Sequence, residues 1–166
     1  MNPLKIYLCD LTHDTVVLVS DTIPINIGAV ASYAKMVYGE AIEVSLFKYP
    51  QSVIDAVMAD PPEVLALSNY SWNSHLSERM AELAKQVNPS VVTVQGGTNF
   101  PHEAAQHARF LERRPSTDFH VELEGEISFA NLIGRVLQVR NHGDGLFDAP
   151  VDGCVFIHPD SRHSSD

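Results

Sequence analysis

The chain predicts an α/β protein, a flavodoxin-like (Rossmann-like) three-layer fold with five parallel strands in the order 2-1-3-4-5. Three observations carry this. Strand-like and helix-like apolar patterns alternate along the 166 residues, which implies βαβ units and a parallel sheet covered on both faces. The strand segments are short, continuous apolar runs, as strands buried on two faces are. The length is that of one domain, which buries about 68–70% of its unfolded surface and needs no staple.

Residues 4–9 (LKIYLC) form the first predicted strand. The first helix spans residues 27–38 and places Ile27, Val30, Ala31, Ala34 and Val37 on one stripe. Residues 42–47 (IEVSLF) are the second strand, and residues 51–59 a short helix. Residues 64–68 (VLALS) are the third strand; the helix after it, 76–87, aligns Leu76, Met80, Leu83, Ala84 and Val87. Residues 91–94 (VVTV) are the fourth strand, followed by a helix over 101–112. Residues 119–123 are the fifth, and the last helix, 126–139, carries Ile127, Ala130, Ile133, Gly134 and Leu137 at helical spacing. Residues 10–26 are long for a βα connection, which usually takes 2–6 residues. That segment contains TVVLVS, a candidate extra strand. From Arg140 the sequence turns rich in Gly, Asp and Pro, then reads GCVFIHP, a candidate short strand, and ends in the polar DSRHSSD.

Charge and cysteine usage narrow the partners. With 21 acidic against 11 basic side chains the formal charge is −10. A nucleic-acid backbone and an anionic membrane surface both require the opposite balance. No apolar run approaches the roughly 20 residues of a membrane span. The start, MNPLKIYLCD, is too short and polar for a signal peptide. Cys9 and Cys154 make neither a disulfide framework nor a metal pattern, and read as reduced thiols of a cytoplasmic protein. The eight histidines form no HExxH and no CxxC/His cluster, so no metal site is expected.

In a doubly wound sheet, ligands sit beyond the carboxyl ends of the strands, at the switch point of strand order. That rule selects residues 10–26, 69–74, 95–100 and 122–126. QGGTNF, with Gly96, Gly97 and Thr98, follows a strand and precedes a helix. Adjacent glycines admit positive φ and let a ligand approach the backbone; an ordinary tight turn uses them equally. Neither GxGxxG nor a P-loop is present. SNYSWN, from Ser68 to Asn73, puts Tyr70 and Trp72 at a strand tip, where an aromatic pair packs on a flat ligand or covers the sheet edge. Asn73 or Ser74 is placed to cap the next helix. ELEGE puts carboxylates on either side of Gly125, as acid/base groups, as acceptors, or as a helix start favoured by the dipole. No GxSxG elbow supports a catalytic serine.

PINIGAVASYA, SNYSWN, VTVQGGTNFP and ELEGE, in this order at the ligand-facing loops, resemble the cobalamin-binding domain at the amino end of many radical-SAM enzymes. The resemblance covers roughly residues 4–137. It implies cobalamin as cofactor, held by Ile25, Asn26, Gly28, Ser68, Tyr70, Gly96, Gly97, Thr98, Glu124 and Gly125. Cobalamin domains of the mutase and methionine-synthase type carry DxHxxG, then SxL, then GG. Here the Gly (Gly28), the Ser (Ser68) and the paired Gly (Gly96, Gly97) stand in place, but the Asp and His positions hold Ile23 and Ile25. In that family the His is the lower axial ligand of cobalt. An isoleucine has no lone pair to give, so the implied site lacks a histidine beneath the metal.

The resemblance also implies a radical-SAM domain in the same polypeptide. S-adenosylmethionine and a [4Fe–4S] cluster are expected only there, because the cluster needs three cysteines in CxxxCxxC and this chain has two. Residues 1–139 are thus expected to be the cobalamin-binding-like domain. Residues 140–166 are expected as a turn-rich tail or the start of a linker, and the chain as a fragment without a complete active site. The rival classes are a flavodoxin-like signalling or interaction domain, and a flavin or nucleotide binder using the same rim. A phosphoreceiver is disfavoured, since Ser68 and Asn69 stand where its second acidic position would be.

Overall fold

A computed structural model describes residues 2–12, 23–122, 124–143 and 145–163. The candidate extra strand in TVVLVS lies outside them. The elements in chain order are β1 (Leu4–Cys9), α1 (Ile25–Tyr38), β2 (Ile42–Phe47), α2 (Pro50–Ala59), β3 (Val64–Ser68), α3 (Ser74–Val87), β4 (Val92–Gly96), α4 (Ala104–Glu112), β5 (Phe119–Val121), α5 (Gly125–His142) and β6 (Cys154–Phe156). Five strands lie in the predicted order and pair in parallel.

The strand count differs from the expectation of five. β6 joins the edge of the sheet antiparallel to β5, with Val121 opposite Cys154 and Phe119 opposite Phe156. α5 ends at Gly143, whose φ of 75° is the left-handed stop that glycine takes most readily. The turn-rich segment after it is tied down by side chains. Phe147 stacks on Phe119 with ring centroids 5.1 Å apart, and Val151 is buried. The chain therefore re-enters at the carboxyl end of β5 and runs back along it.

Two apolar clusters sandwich the sheet. One, between the sheet and α1 with α5, includes Ile6, Leu8, Val94, Phe119, Phe129 and Ile133. The other, under α2 and α3, includes Leu65, Leu67, Val53, Met80 and Ala84. The stripes differ from the sequence reading in two places. Val37 and Ile127 are exposed, at 47% each, whereas Phe129, Leu132 and Val136 on α5 are buried. α5 covers the sheet and also packs against α1, so its buried arc is wider than one stripe. The Tyr38 hydroxyl donates to the Ala130 carbonyl at 2.6 Å across this helix pair.

The far side of the sheet is pinned by a partly buried carboxylate. One oxygen of Asp118 accepts from Lys85 Nζ at 2.6 Å, from the Thr93 amide at 2.8 Å and from Thr93 Oγ1 at 3.0 Å. Removing it leaves the Thr93 amide without an acceptor, at about 1–3 kcal/mol for a buried donor, and takes the counter-charge from Lys85, while Lys85 keeps the Val91 carbonyl and Thr93 Oγ1 the Ser116 carbonyl, each at 2.6 Å. Because these sites are partly solvated, Asp118→Ala is expected to lower unfolding stability by about 2–3 kcal/mol, measured by urea denaturation. A loss below about 0.5 kcal/mol, the level of an ordinary surface change, would contradict this account.

Candidate functional site

A cleft of about 460 Å³ opens at the carboxyl end of the sheet, between the strand tips and the helices α1 and α5. Its floor is Leu8, Ala66, Val94 and Val121, one from each of four adjacent strands. Ile27 and Val30 of α1 and Phe129 of α5 form the opposite wall. β1 and β3 are neighbours whose connections leave in opposite directions, so the cleft lies at the switch point. It exists because small residues stand where larger ones would fill it: Ala66 and Gly96 on the sheet, Ala29 and Gly125 on the helices.

Eight of the ten sequence-predicted residues line this cleft: Ile25, Asn26, Ser68, Tyr70, Gly96, Gly97, Thr98 and Gly125. Gly28 and Glu124 do not. Gly28 lies within α1 and has no neighbour within 4 Å of the position a Cβ would take. Glu124 is exposed as the residue preceding α5, and Glu126, two residues further on, lines the cleft instead. Of the wall residues, the sequence patterns place Val30 on a helix stripe and Ala66 in a buried strand, and leave Phe129 off its helix's stripe. A core position is distinguishable from a cleft wall only once the neighbouring helix is placed.

The paired glycines have different tasks. Gly96 ends β4 on the same face as Val94, and a Cβ there would sit 3.6 Å from the Val121 Cβ, an ordinary contact on the cleft side. Gly97 has φ 134°, and its Cβ would lie 2.7 Å from the Asn69 carbonyl oxygen. Gly97 is therefore required by the turn, and Gly96 keeps the cleft open.

The polar groups at the rim are mutually constrained. Ser68 Oγ donates to Asp10 Oδ1 at 2.6 Å and accepts from Asn73 Nδ2 at 2.9 Å. Its single proton is thereby committed, leaving one acceptor position toward the cleft. Asn73 occupies the expected cap position of α3, but its side chain turns the other way. Its Oδ1 accepts from the Tyr70 amide at 2.8 Å, and its Nδ2 also reaches the Leu11 carbonyl at 3.3 Å. It ties the loops after β1 and β3 together rather than capping the helix. The Tyr70 hydroxyl accepts from Asn26 Nδ2 at 2.7 Å, bridging that loop to α1. Tyr70 also stacks on Trp72, with ring centroids 4.6 Å apart and planes 11° from parallel. Trp72 is 64% exposed, and Ile23 and Ile25, at 82% and 75%, flank the neighbouring hollow that Trp72 also lines. Three large apolar side chains thus face solvent together beside the cleft mouth, the kind of surface that marks a contact site.

The described residues offer little acid/base or metal chemistry here. They contain no group of three His, Cys, Asp or Glu side chains able to hold a metal ion. Burial pushes the Cys154 thiol up to about 12 and Cys9 higher still, so both are protonated and unreactive at neutral pH. Burial, first, and the neighbouring His107 push His120 down to about 3, so it is neutral. No described helix is long and apolar enough to cross a membrane.

The fold and the cleft define a Rossmann-like ligand-binding module whose site lies at the strand tips. Residues 14–133 match the B12 binding domain family, and the chain belongs to that family. It is 33% identical over 128 residues to the cobalamin-dependent radical SAM methyltransferase TokK of Streptomyces tokunonensis, covering 74% of this chain and 18% of that protein. It is 32% identical over 103 residues to the anaerobic magnesium-protoporphyrin IX monomethyl ester cyclase of Rubrivivax gelatinosus, covering 59% of this chain and 18% of the relative. Among solved structures, the cobalamin-dependent S-adenosylmethionine radical enzyme OxsB, with aqua-cobalamin and S-adenosylmethionine bound, superimposes with a TM-score of 0.68. The match covers 95% of this chain and 21% of OxsB at 16% identity, and speaks to the fold. The chain spans about a fifth of the length of these proteins.

Proposed function

We propose that this chain binds cobalamin as the corrinoid-holding module of a cobalamin-dependent radical-SAM protein, with methyl transfer or related radical chemistry as the chemistry of the whole. The observation that carries the reading is the cleft at the switch point, opened by Gly96 and Ala66 and floored by apolar strand tips. The residues fit such a group. An apolar, glycine-edged slot of this volume suits the nucleotide tail of a corrinoid, within the range of about 300–1,000 Å³ typical of small-molecule sites. The exposed apolar rim of Ile23, Ile25 and Trp72 suits a broad macrocycle.

In this reading the walls Val30, Val94, Val121 and Phe129 exclude water from the tail. Ser68, its proton held by Asp10, accepts a hydrogen bond from it. Gly96, Thr98 and Gly125 give it close backbone approach, and Asn26, held by Tyr70, stands at the mouth. Ile25 would face the corrin, and its side chain has no donor atom to offer a metal. A bound cobalamin supplies methyl-carrying and redox chemistry that no side chain here provides. S-adenosylmethionine and an iron–sulfur cluster belong, in this reading, to a radical-SAM domain of the same polypeptide. Residues 140–166 lead toward it, although residues 154–156 are also the sixth strand.

Incubation with hydroxocobalamin followed by desalting is expected to leave a coloured protein whose spectrum lacks a histidine-ligand signature. A colourless protein across hydroxo-, methyl- and adenosylcobalamin would refute retention by this chain. Retention of a flavin instead would show a distinct absorption and would favour the rival binder.

A further inference from the structure

Two asparagines outside the cleft are wound around the turn that edges it. Asn69 is wholly buried and follows β3; Asn99 is partly buried and lies two residues after Gly97. Four hydrogen bonds join them and the turn between. The Asn69 amide donates to the Gly96 carbonyl at 2.7 Å, and the Asn99 amide to the Asn69 carbonyl at 3.1 Å. Asn69 Nδ2 donates to the Asn99 carbonyl at 3.1 Å, and Asn99 Nδ2 to Asn69 Oδ1 at 3.1 Å. The Asn69 backbone fills the space where a Cβ of residue 97 would project. Neither asparagine lines the cleft, whereas Gly96, Gly97 and Thr98 between them do.

We propose that Asn69 and Asn99 form a clasp that holds the Gly96–Thr98 backbone in its ligand-receiving conformation, making both of them positioning residues for the bound cofactor. The inference rests on the cobalamin reading above. Its physical content is preorganisation. A glycine pair left to itself samples many conformations and loses that freedom when a ligand binds. The clasp takes that loss at folding, so the free cleft already presents the bound backbone. On the opposite face of the sheet the His120 ring stacks on Phe100, the residue after Asn99, with centroids 3.7 Å apart.

The test uses the full chain and hydroxocobalamin. Asn99→Ala removes one donor at a partly exposed position, so the fold is expected to survive. The dissociation constant is measured by absorbance titration, well below each variant's melting midpoint, so that only folded protein is compared. Asn99→Ala is expected to bind about tenfold more weakly, the worth of one hydrogen bond, and to do so through slower association. Asn69→Ser, and the double change with Asn99→Ala, complete a cycle. Because the two side chains act as one unit, the double variant should bind no worse than the weaker single variant. Unchanged affinity in folded Asn99→Ala, or losses that multiply in the double variant, would overturn the clasp while leaving the cobalamin reading intact. If the native chain itself retains no corrinoid, the reading fails and the clasp's role falls with it.

Discussion

Gly96→Val is expected to fold as the native chain does and to weaken cobalamin binding by about tenfold to a hundredfold. The added Cβ would meet Val121 at 3.6 Å, normal packing distance, and valine suits a strand. Yet the side chain would stand on the cleft face of β4, level with Ser68 of β3 and Val121 of β5. A branched side chain there takes the volume the ligand needs, and overpacking of a fitted site costs about 1–3 kcal/mol or more. Gly97→Val is the contrasting case. Its φ of 134° and the 2.7 Å approach to the Asn69 carbonyl make any side chain there strained. That variant should lose thermal stability as well as binding. Titration with hydroxocobalamin and thermal melting, run side by side, separate the two. Full binding by Gly96→Val would mean that the cleft does not receive the cofactor.

Ile23→Asp combined with Ile25→His is expected to create an axial ligand where the native chain has none. Both isoleucines are mostly exposed, so their replacement disturbs no core. Ile25 lines the cleft mouth, where the resemblance places the metal-binding histidine of the mutase-type domains. An imidazole coordinates only when neutral, so the corrinoid spectrum should shift as pH rises through the effective pKa of the new ring, about 6.5 when unperturbed. The carboxylate at 23 is included to orient the ring, since a missing outer partner typically costs 10–100-fold in metal affinity. Ile25→His alone should therefore show the weaker change. Normal cobalamin binding by the double variant with no spectral response between pH 5 and pH 9 would show that Ile25 does not lie beneath the metal.

The carboxyl-end loops were legible as ligand-facing because strand order and the right-handed crossover dictate where a doubly wound sheet opens. The roles of individual residues in those loops were less legible. Asn73 sits where a helix cap belongs, but its amide is drawn to Ser68 and Leu11 by a loop that only folding brings near. Ser68 is legible as a ligand-facing polar group, but that Asp10, 58 residues away in sequence, takes its proton and leaves it an acceptor is not. Gly97 and Gly96 look alike in a sequence. They separate only when Asn69 and Val121 are seen on the far side of each Cβ position.

The sequence by itself determined the element order, the parallel pairing of five strands and the loops that face a ligand. These follow from hydrophobic period and chain handedness, which are local properties summed along the chain. The tertiary structure decided what depends on contacts between distant segments. The return of the chain along β5 as an antiparallel strand is one such feature, because Phe147 finds Phe119 only after α5 has docked. The width of α5's buried arc is another, since α1 and the sheet claim different sides of it. The cleft is the third. Its volume is the space that Ala66, Gly96, Ala29 and Gly125 leave unfilled when four elements meet, and no single segment of the sequence contains it.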